Sequence, residues 1–254
     1  MPDYQFADLE SARIAYHDVG EGDPILLIHG FASNGVVNWI NTNWVRDLNE
    51  VGYRCIAIDN RGHGQSQKFH SPVDYGPDIF ADDALQLLDH LGIERCDIMG
   101  FSMGTRITSW ICAHNGERVR KAVFGGMGAR IFGGGSHYET IAQALETDDP
   151  DSITDPRGKT FRTFADRTAS DRLALAACIR PSTAKITTNM IASITVPVLV
   201  AVGDQDEVGG SAEELAAMLP NARAAVLPGL DHMKSTGSRA FKQAAIDFLK
   251  EESS

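Results

Sequence analysis

The pentapeptide Gly100-Phe101-Ser102-Met103-Gly104 follows a short apolar run and opens a helix-like segment. In that setting G-x-S-x-G forms a sharp strand-to-helix turn. The flanking glycines let adjacent elements approach, and the serine is held in a strained backbone conformation. Its hydroxyl projects from a helix N-terminus, where the positive end of the helix favours developing negative charge. The chemistry open to such a serine is attack on a carbonyl carbon. A hydroxyl is a poor nucleophile and needs a base, normally a histidine held by a carboxylate. The expected chain order is Ser, Asp or Glu, His. Val200-Ala201-Val202-Gly203-Asp204-Gln205-Asp206 supplies two acids directly after an apolar run, and Leu230-Asp231-His232-Met233 supplies a histidine after the next one. Asp231 reads as a surface carboxylate.

Attack on a carbonyl also needs donors for the oxyanion. Ile28-His29-Gly30-Phe31 ends an apolar run and can aim backbone N–H groups at the substrate oxygen. The expected pair is the amide of Phe31 with that of Met103, the residue after the nucleophile. Phe31, Met127 and Trp39 are candidates to line a substrate pocket, with Trp44 also available for packing. Asn34, Asn38, Asn41 and Asn43 read as turn formers.

A second polar group, His29, Asp59, Arg61 and His63, invites a metal or ligand reading. The spacing matches no zinc pattern. An arginine and an aspartate in such a turn serve to satisfy loop carbonyls and amides. Gly62-His63-Gly64 is not a dinucleotide fingerprint, because Gln67 occupies the third glycine's position. No metal is expected.

These residues need a scaffold. Runs at 25–28, 53–58, 96–99, 121–124 and 196–202, with a weaker one at 224–227, are short and mainly apolar, as in strands buried on both faces of a parallel sheet. Tyr4-Gln5-Phe6 and Ile14-Ala15-Tyr16 suggest an N-terminal antiparallel hairpin. Helical periodicity lies between the runs: Ile79, Phe80, Asp83, Leu87 and Leu91 before a stop at Gly92, then 102–114, then a segment capped by Ser211, then a C-terminal stripe of Phe241, Ala245, Phe248 and Leu249. Strand and helix alternate, which gives a doubly wound α/β sheet. The candidate acid and base follow strands at the carboxyl edge, where open α/β sheets bind ligands.

From 125 to about 195 no buried strand is expected. Glycines (Gly125, Gly126, Gly128, then Gly133-Gly134-Gly135) open a stretch of amphipathic pieces at 138–145, 160–165 and 171–178. About 70 residues cannot be a bare loop in a compact domain. They read as a small helical cap, 126–194, inserted in a core of 1–125 and 195–254.

The chain of 254 residues is long enough for one well-filled domain. Its net charge of −11 repels phosphate backbones, so neither nucleic acid nor an anionic membrane is an expected partner. Cys55, Cys96, Cys112 and Cys178 form no CxxC pair and read as reduced, structural thiols. Met1-Pro2-Asp3-Tyr4 lacks the basic start and apolar stretch of a leader, and no apolar run approaches the ~20 residues of a membrane span. A cytoplasmic location is expected, with a small-molecule substrate and an open oligomeric state.

Together, His29-Gly30, Asp59-Asn60-Arg61-Gly62-His63-Gly64-Gln65-Ser66, Gly100 to Gly104, Gly203 to Asp206 and His232 resemble the α/β-hydrolase family. The likeness is to its capped esterase, lactonase and C–C hydrolase branch, and it covers nearly the whole chain. It implies an α/β-hydrolase fold with a mostly parallel eight-stranded sheet, flanking helices and a small helical cap after the sixth strand. It also implies no cofactor and a triad of Ser102, His232 and, as the second acid of G-x-x-D, Asp206. Thr105 stands where the family often has a further glycine, and Gly209-Gly210 replace a common proline-containing loop. The expected activity is hydrolysis of an ester-like bond through an acyl-enzyme. Enol-lactone hydrolysis, C–C bond hydrolysis and cofactor-free perhydrolysis use the same triad, and a ligand-binding receptor could keep it. Dehalogenation or epoxide opening by a carboxylate nucleophile would need an acid at position 102.

Overall fold

The computed structural model describes residues 3–133, 138–180 and 184–251. The expectations placed on Met1, Pro2, Gly134 and Gly135 fall outside these residues. Among the described residues the strands are β1 (Gln5–Asp8), β2 (Arg13–Val19), β3 (Asp23–Ile28), β4 (Tyr53–Ile58), β5 (Cys96–Phe101), β6 (Val119–Gly125), β7 (Val198–Gly203) and β8 (Ala222–Leu227). They form one sheet in the order β1-β2-β4-β3-β5-β6-β7-β8. β1 and β2 make the antiparallel hairpin, β2 runs antiparallel to β4, and the remaining pairs are parallel.

The α-helices are α1 (Trp44–Glu50), α2 (Pro77–His90), α3 (Met103–His114), α4 (Tyr138–Glu146), α5 (Pro156–Arg167), α6 (Arg172–Ile179), α7 (Thr188–Ser193), α8 (Ala212–Ala216), α9 (His232–Ser235) and α10 (Arg239–Lys250). None is long and apolar enough to cross a membrane. Pro77 opens α2, and Gly92 follows it with φ +66°, a left-handed turn suited to glycine. Ser211 caps α8 by accepting from the Glu214 amide.

Two apolar layers cover the sheet. On one face Phe80, Leu87, Ile107, Ile111 and Leu215 pack against Leu26, Ile56 and Ile98. On the other, Trp39, Trp44, Leu48, Phe241 and Phe248 pack against Ile25, Leu27 and Met99. Successive strand residues point to opposite faces, so β3 feeds both layers and is apolar throughout.

β6 leads into α4 to α7 before β7 begins. Ile141, Ala142, Leu145, Ala165, Leu175 and Ala176 of α4 to α6 form a small core of their own, closed by Ala32 from the loop after β3. α6 is capped by Asp171, whose carboxylate accepts from the Ala174 amide and from His70 of the sheet domain at 2.9 Å.

Candidate active site

The strand order changes direction at β3, which lies between β4 and β5. The loops that carry the candidate residues leave the carboxyl ends of β3, β5, β7 and β8. At β5 the chain turns abruptly into α3. Ser102 takes φ +57° and ψ −111°, which a residue with a side chain adopts only under constraint. Two glycines make the turn possible. A Cβ at Gly100 would overlap the Gly104 carbonyl, and one at Gly104 would overlap the backbone oxygen of Ile28. Thr105 supports the same corner: its hydroxyl reaches the carbonyls of Gly100 at 3.0 Å and Gly125 at 2.8 Å. A buried hydroxyl thus serves at a position where glycine was the expected family residue.

Ser102 Oγ lies 3.0 Å from His232 Nε2, and His232 Nδ1 lies 2.8 Å from Asp206 Oδ2. The three side chains are remote in sequence and meet because their loops share one sheet edge. The Asp206 carboxylate has no exposed side-chain surface. Its other oxygen accepts from the amides of Val208 and Gly209, both at 2.8 Å. Gly209 in turn accepts from Gly128 and Arg130, while Arg130 reaches the Glu207 carbonyl. The Gly209-Gly210 segment therefore ties the acid's loop to the chain leaving β6, with Gly210 at φ +76°. Asp204 turns elsewhere, accepting from the Gly229 amide at 2.8 Å. Asp231 caps α9 through the Lys234 amide and is paired with Lys234. The base's loop is held from below, where Trp44 donates its indole N–H to the Thr236 carbonyl at 2.7 Å.

The amides of Phe31 and Met103 have no acceptor among the described residues; Met103 follows Ser102 directly, and Gly30, just before Phe31, lies so close that a Cβ on it would stand 3.4 Å from Ser102 Cβ. The residue before Phe31 is pinned on both sides. His29 Nδ1–H donates to the Gly30 carbonyl at 2.7 Å, and Asn38 Oδ1 accepts from the Gly30 amide at 3.3 Å. Asn38 is buried on a five-residue π-helical turn, Val36–Ile40, and its Nδ2 has no partner among the described residues. From sequence alone this asparagine reads as a turn former. Only the π-helical turn, which carries position 38 back to position 30, reveals its contact. Asn34 does form a turn, accepting from the Val37 amide, and Asn43 adopts φ +63° ahead of α1.

The expected pocket residues separate. Phe31 is half-buried, edge-on to His63 at 6.0 Å and to Phe161 of α5 at 5.4 Å. Met127 sits in the first core layer. Trp39 corrects the expectation made for it: it has no exposed surface and packs edge-on to Trp44 at 6.1 Å inside the second layer. An indole on a turn that faces the sheet is drawn into the core by its area.

The polar group of His29, Asp59, Arg61 and His63 is a buried scaffold. Asp59 accepts from the amides of Gly35 at 2.7 Å and Gln65 at 2.8 Å. Arg61 makes a two-pronged pair with Asp83 at 2.6 and 2.7 Å. His29 Nε2 accepts from the Asn60 amide at 3.0 Å, which leaves the proton on Nδ1. Burial lowers the pKa of His29 to about 4. Burial, with His29 nearby at 5.1 Å between rings, lowers that of His63 to about 3. Both are neutral at pH 7. Among the described residues no three His, Cys, Asp or Glu side chains are grouped to hold a metal ion.

The family model for the alpha/beta hydrolase fold matches residues 23–190. The chain belongs to the α/β-hydrolase family. A non-heme haloperoxidase from Rhodococcus erythropolis is 27% identical over 261 residues, covering 88% of this chain and 90% of that protein. A putative non-heme chloroperoxidase from Synechocystis sp. is 41% identical over 114 residues, 43% of this chain and 38% of that one. The chain thus spans about two fifths of several of the curated relatives it matches. The crystal structure of an enol-lactonase from Burkholderia xenovorans LB400 superposes with a TM-score of 0.83 at 23% identity, covering 97% of this α/β hydrolase and 100% of that chain. This likeness is one of fold. The mostly parallel eight-stranded sheet with flanking helices is that of the family.

Proposed function

We propose that this hydrolase cleaves an ester-like bond in a small molecule through an acyl-enzyme on Ser102. The observation that carries the reading is the unbroken chain of contacts from Ser102 Oγ to His232 at 3.0 Å and from His232 to Asp206 at 2.8 Å. His232 Nε2 takes the hydroxyl proton as Ser102 attacks the carbonyl carbon. The tetrahedral oxyanion sits on the amides of Phe31 and Met103, which need no reorganisation to receive it. Collapse expels the alcohol, protonated by His232, and leaves the acyl group on Ser102. Water then gives a proton to His232 and attacks the acyl carbon, and collapse releases the acid as His232 returns that proton to Ser102 Oγ. Asp206 keeps the His232 proton on Nδ1 and stabilises the imidazolium. Residues 126–194 act as the cap that selects the substrate over a core of 1–125 and 195–254.

The test is the Ser102→Ala variant assayed on a short-chain aryl ester, with fluorophosphonate labelling of the unmodified enzyme. Loss of at least ~10³-fold in turnover, with the fold retained, supports the reading. Undiminished hydrolysis by the variant overturns it. Labelling with one slow turnover would instead favour a ligand receptor built on the same site.

The length over which the Rhodococcus haloperoxidase aligns favours a second reading. The same acyl-enzyme would be attacked by hydrogen peroxide in place of water, giving a peracid, with the peroxide proton passing to His232. Peracid formation from an ester and peroxide, dependent on Ser102, tests it.

A further inference from the structure

Strand geometry decides where the residue before Ser102 points. Side chains on β5 alternate between the two faces of the sheet, so Met99 and Phe101 join the same apolar layer. Trp44 and Phe241 belong to that layer too, and Trp44 holds the loop of His232 through the Thr236 carbonyl. Aromatic rings form a row there. Trp44 meets Phe241 edge-on at 4.9 Å, Phe241 stands 6.1 Å from Phe101, and Phe101 stands 5.2 Å from the imidazole of His232.

The last contact bears on the chemistry. Both nitrogens of His232 are engaged, Nδ1 by Asp206 and Nε2 by Ser102. Two hydrogen bonds fix two points of the ring and leave it free to tilt about the line between them. A rigid buried ring packed against the imidazole, inclined to it by 43°, removes that freedom.

Phe101 is in turn seated by the glycine-rich end of β6. Gly126 has φ +60°, and a Cβ on it would come within 2.6 Å of the Phe101 ring. A Cβ on Gly125 would come within 2.6 Å of Phe241 and 3.1 Å of Phe101. From sequence alone these glycines mark only the entry to the cap. In the fold they leave the space that the Phe101 ring fills.

We propose that Phe101 is a positioning residue, whose ring fixes the tilt of the His232 imidazole and so keeps Nε2 directed at Ser102 Oγ. The role rests on the serine-hydrolase reading above and adds a residue to it. A misdirected general base impairs proton transfer and not substrate binding, so the effect falls on kcat.

The test compares Phe101→Leu with Phe241→Leu. Each removes one ring from the row, but Phe241 makes no ring contact with His232 among the described residues. Turnover of a short-chain aryl ester is measured per active site, counted by fluorophosphonate titration, so that unfolded material does not enter. Phe101→Leu should lower kcat about tenfold with KM within about twofold, and Phe241→Leu should keep kcat within about threefold. Unchanged kcat in Phe101→Leu, a rise in KM alone, or equal kcat losses in the two variants overturns the role. Should Phe101→Leu not fold, Phe101→Met, which fills more of the space but carries no ring, takes its place in the same comparison. If the unmodified protein neither turns over the ester nor labels on Ser102, the serine-hydrolase reading fails. The role of Phe101 is then decided by diethyl pyrocarbonate modification of His232, read by peptide mass spectrometry against the exposed His90. Faster modification in Phe101→Leu but not in Phe241→Leu supports it, and equal rates overturn it.

Discussion

Asp206 and His232 are joined through one carboxylate oxygen only: Oδ2 meets Nδ1 at 2.8 Å, while Oδ1 is occupied by the amides of Val208 and Gly209. The carboxylate cannot rotate without surrendering two backbone hydrogen bonds, so its direction is set by its own turn. Asp206→Asn separates orientation from charge. The amide oxygen can keep the Val208 and Gly209 contacts, which turns the NH₂ toward Nδ1 and favours the wrong imidazole tautomer. The expected result is a fall in kcat of ~10⁴, with thermal stability changed little. Steady-state kinetics and a melting curve check both parts.

The serine turn depends on the absence of a side chain at Gly104. A Cβ there would overlap the Ile28 carbonyl, and the His29 carbonyl crowds the same space. Gly104→Ala must push α3 away from β3, which disturbs Ser102 and the Phe31 loop together. Because the clash is with backbone, no side-chain rotation relieves it. The expected cost is on the order of 3–5 kcal/mol in unfolding free energy, read by urea denaturation.

Asn38 acts on Phe31 through Gly30. Asn38→Ala leaves the buried Gly30 amide without its acceptor, so the loop carrying Phe31, the proposed oxyanion donor, loosens. Stability should fall by about 1–2 kcal/mol. The expected kinetic signature is a roughly tenfold loss in kcat with KM within about twofold, since the donor is used more in the transition state than in the ground state. A rise in KM alone would remove Asn38 from this role.

How far the sequence reveals these relationships depends on where the determining force acts. β3, β5 and β7 are buried on both faces over most of their length, so predominantly apolar runs mark them. β8 is an edge strand with Arg223, Ala224 and Val226 outward, and its signal is correspondingly weak. Asn38 and Asn41 read as turn formers, yet burial of Trp39, Trp44 and Leu48 overrides that propensity and draws the segment into a π-helical turn followed by α1. α7 is six residues long, too short for periodicity to register. Ser102 and His232 could be named from chain order and strand ends. The choice between Asp204 and Asp206 could not be made from spacing, since both lie in one turn, and it came from the family pattern. Asn38 was beyond reach, because its contact with Gly30 exists only once the chain between them has closed on itself.

His29 and His63 make the fold sensitive to acid. Burial lowers their pKa values to about 4 and about 3, against about 6.5 in an unfolded chain. Between pH 6.5 and pH 3–4 the unfolded state therefore binds protons that the folded state refuses. By linkage, unfolding free energy rises with pH across that window. Their contribution is fully present above pH 6.5 and is lost as pH falls through the window. His29 also spans Gly30 and Asn60, so its protonation would cost the acceptor at Nε2 and strain the loop before Phe31. The melting temperature should decline steadily from pH 7 to pH 4. His63→Phe removes one of the two titrating groups, together with a buried Nε2 that has no partner among the described residues. Its melting temperature should change less between pH 7 and pH 4 than that of the unmodified protein. Parallel curves for the two proteins would show that His63 does not carry this acid sensitivity.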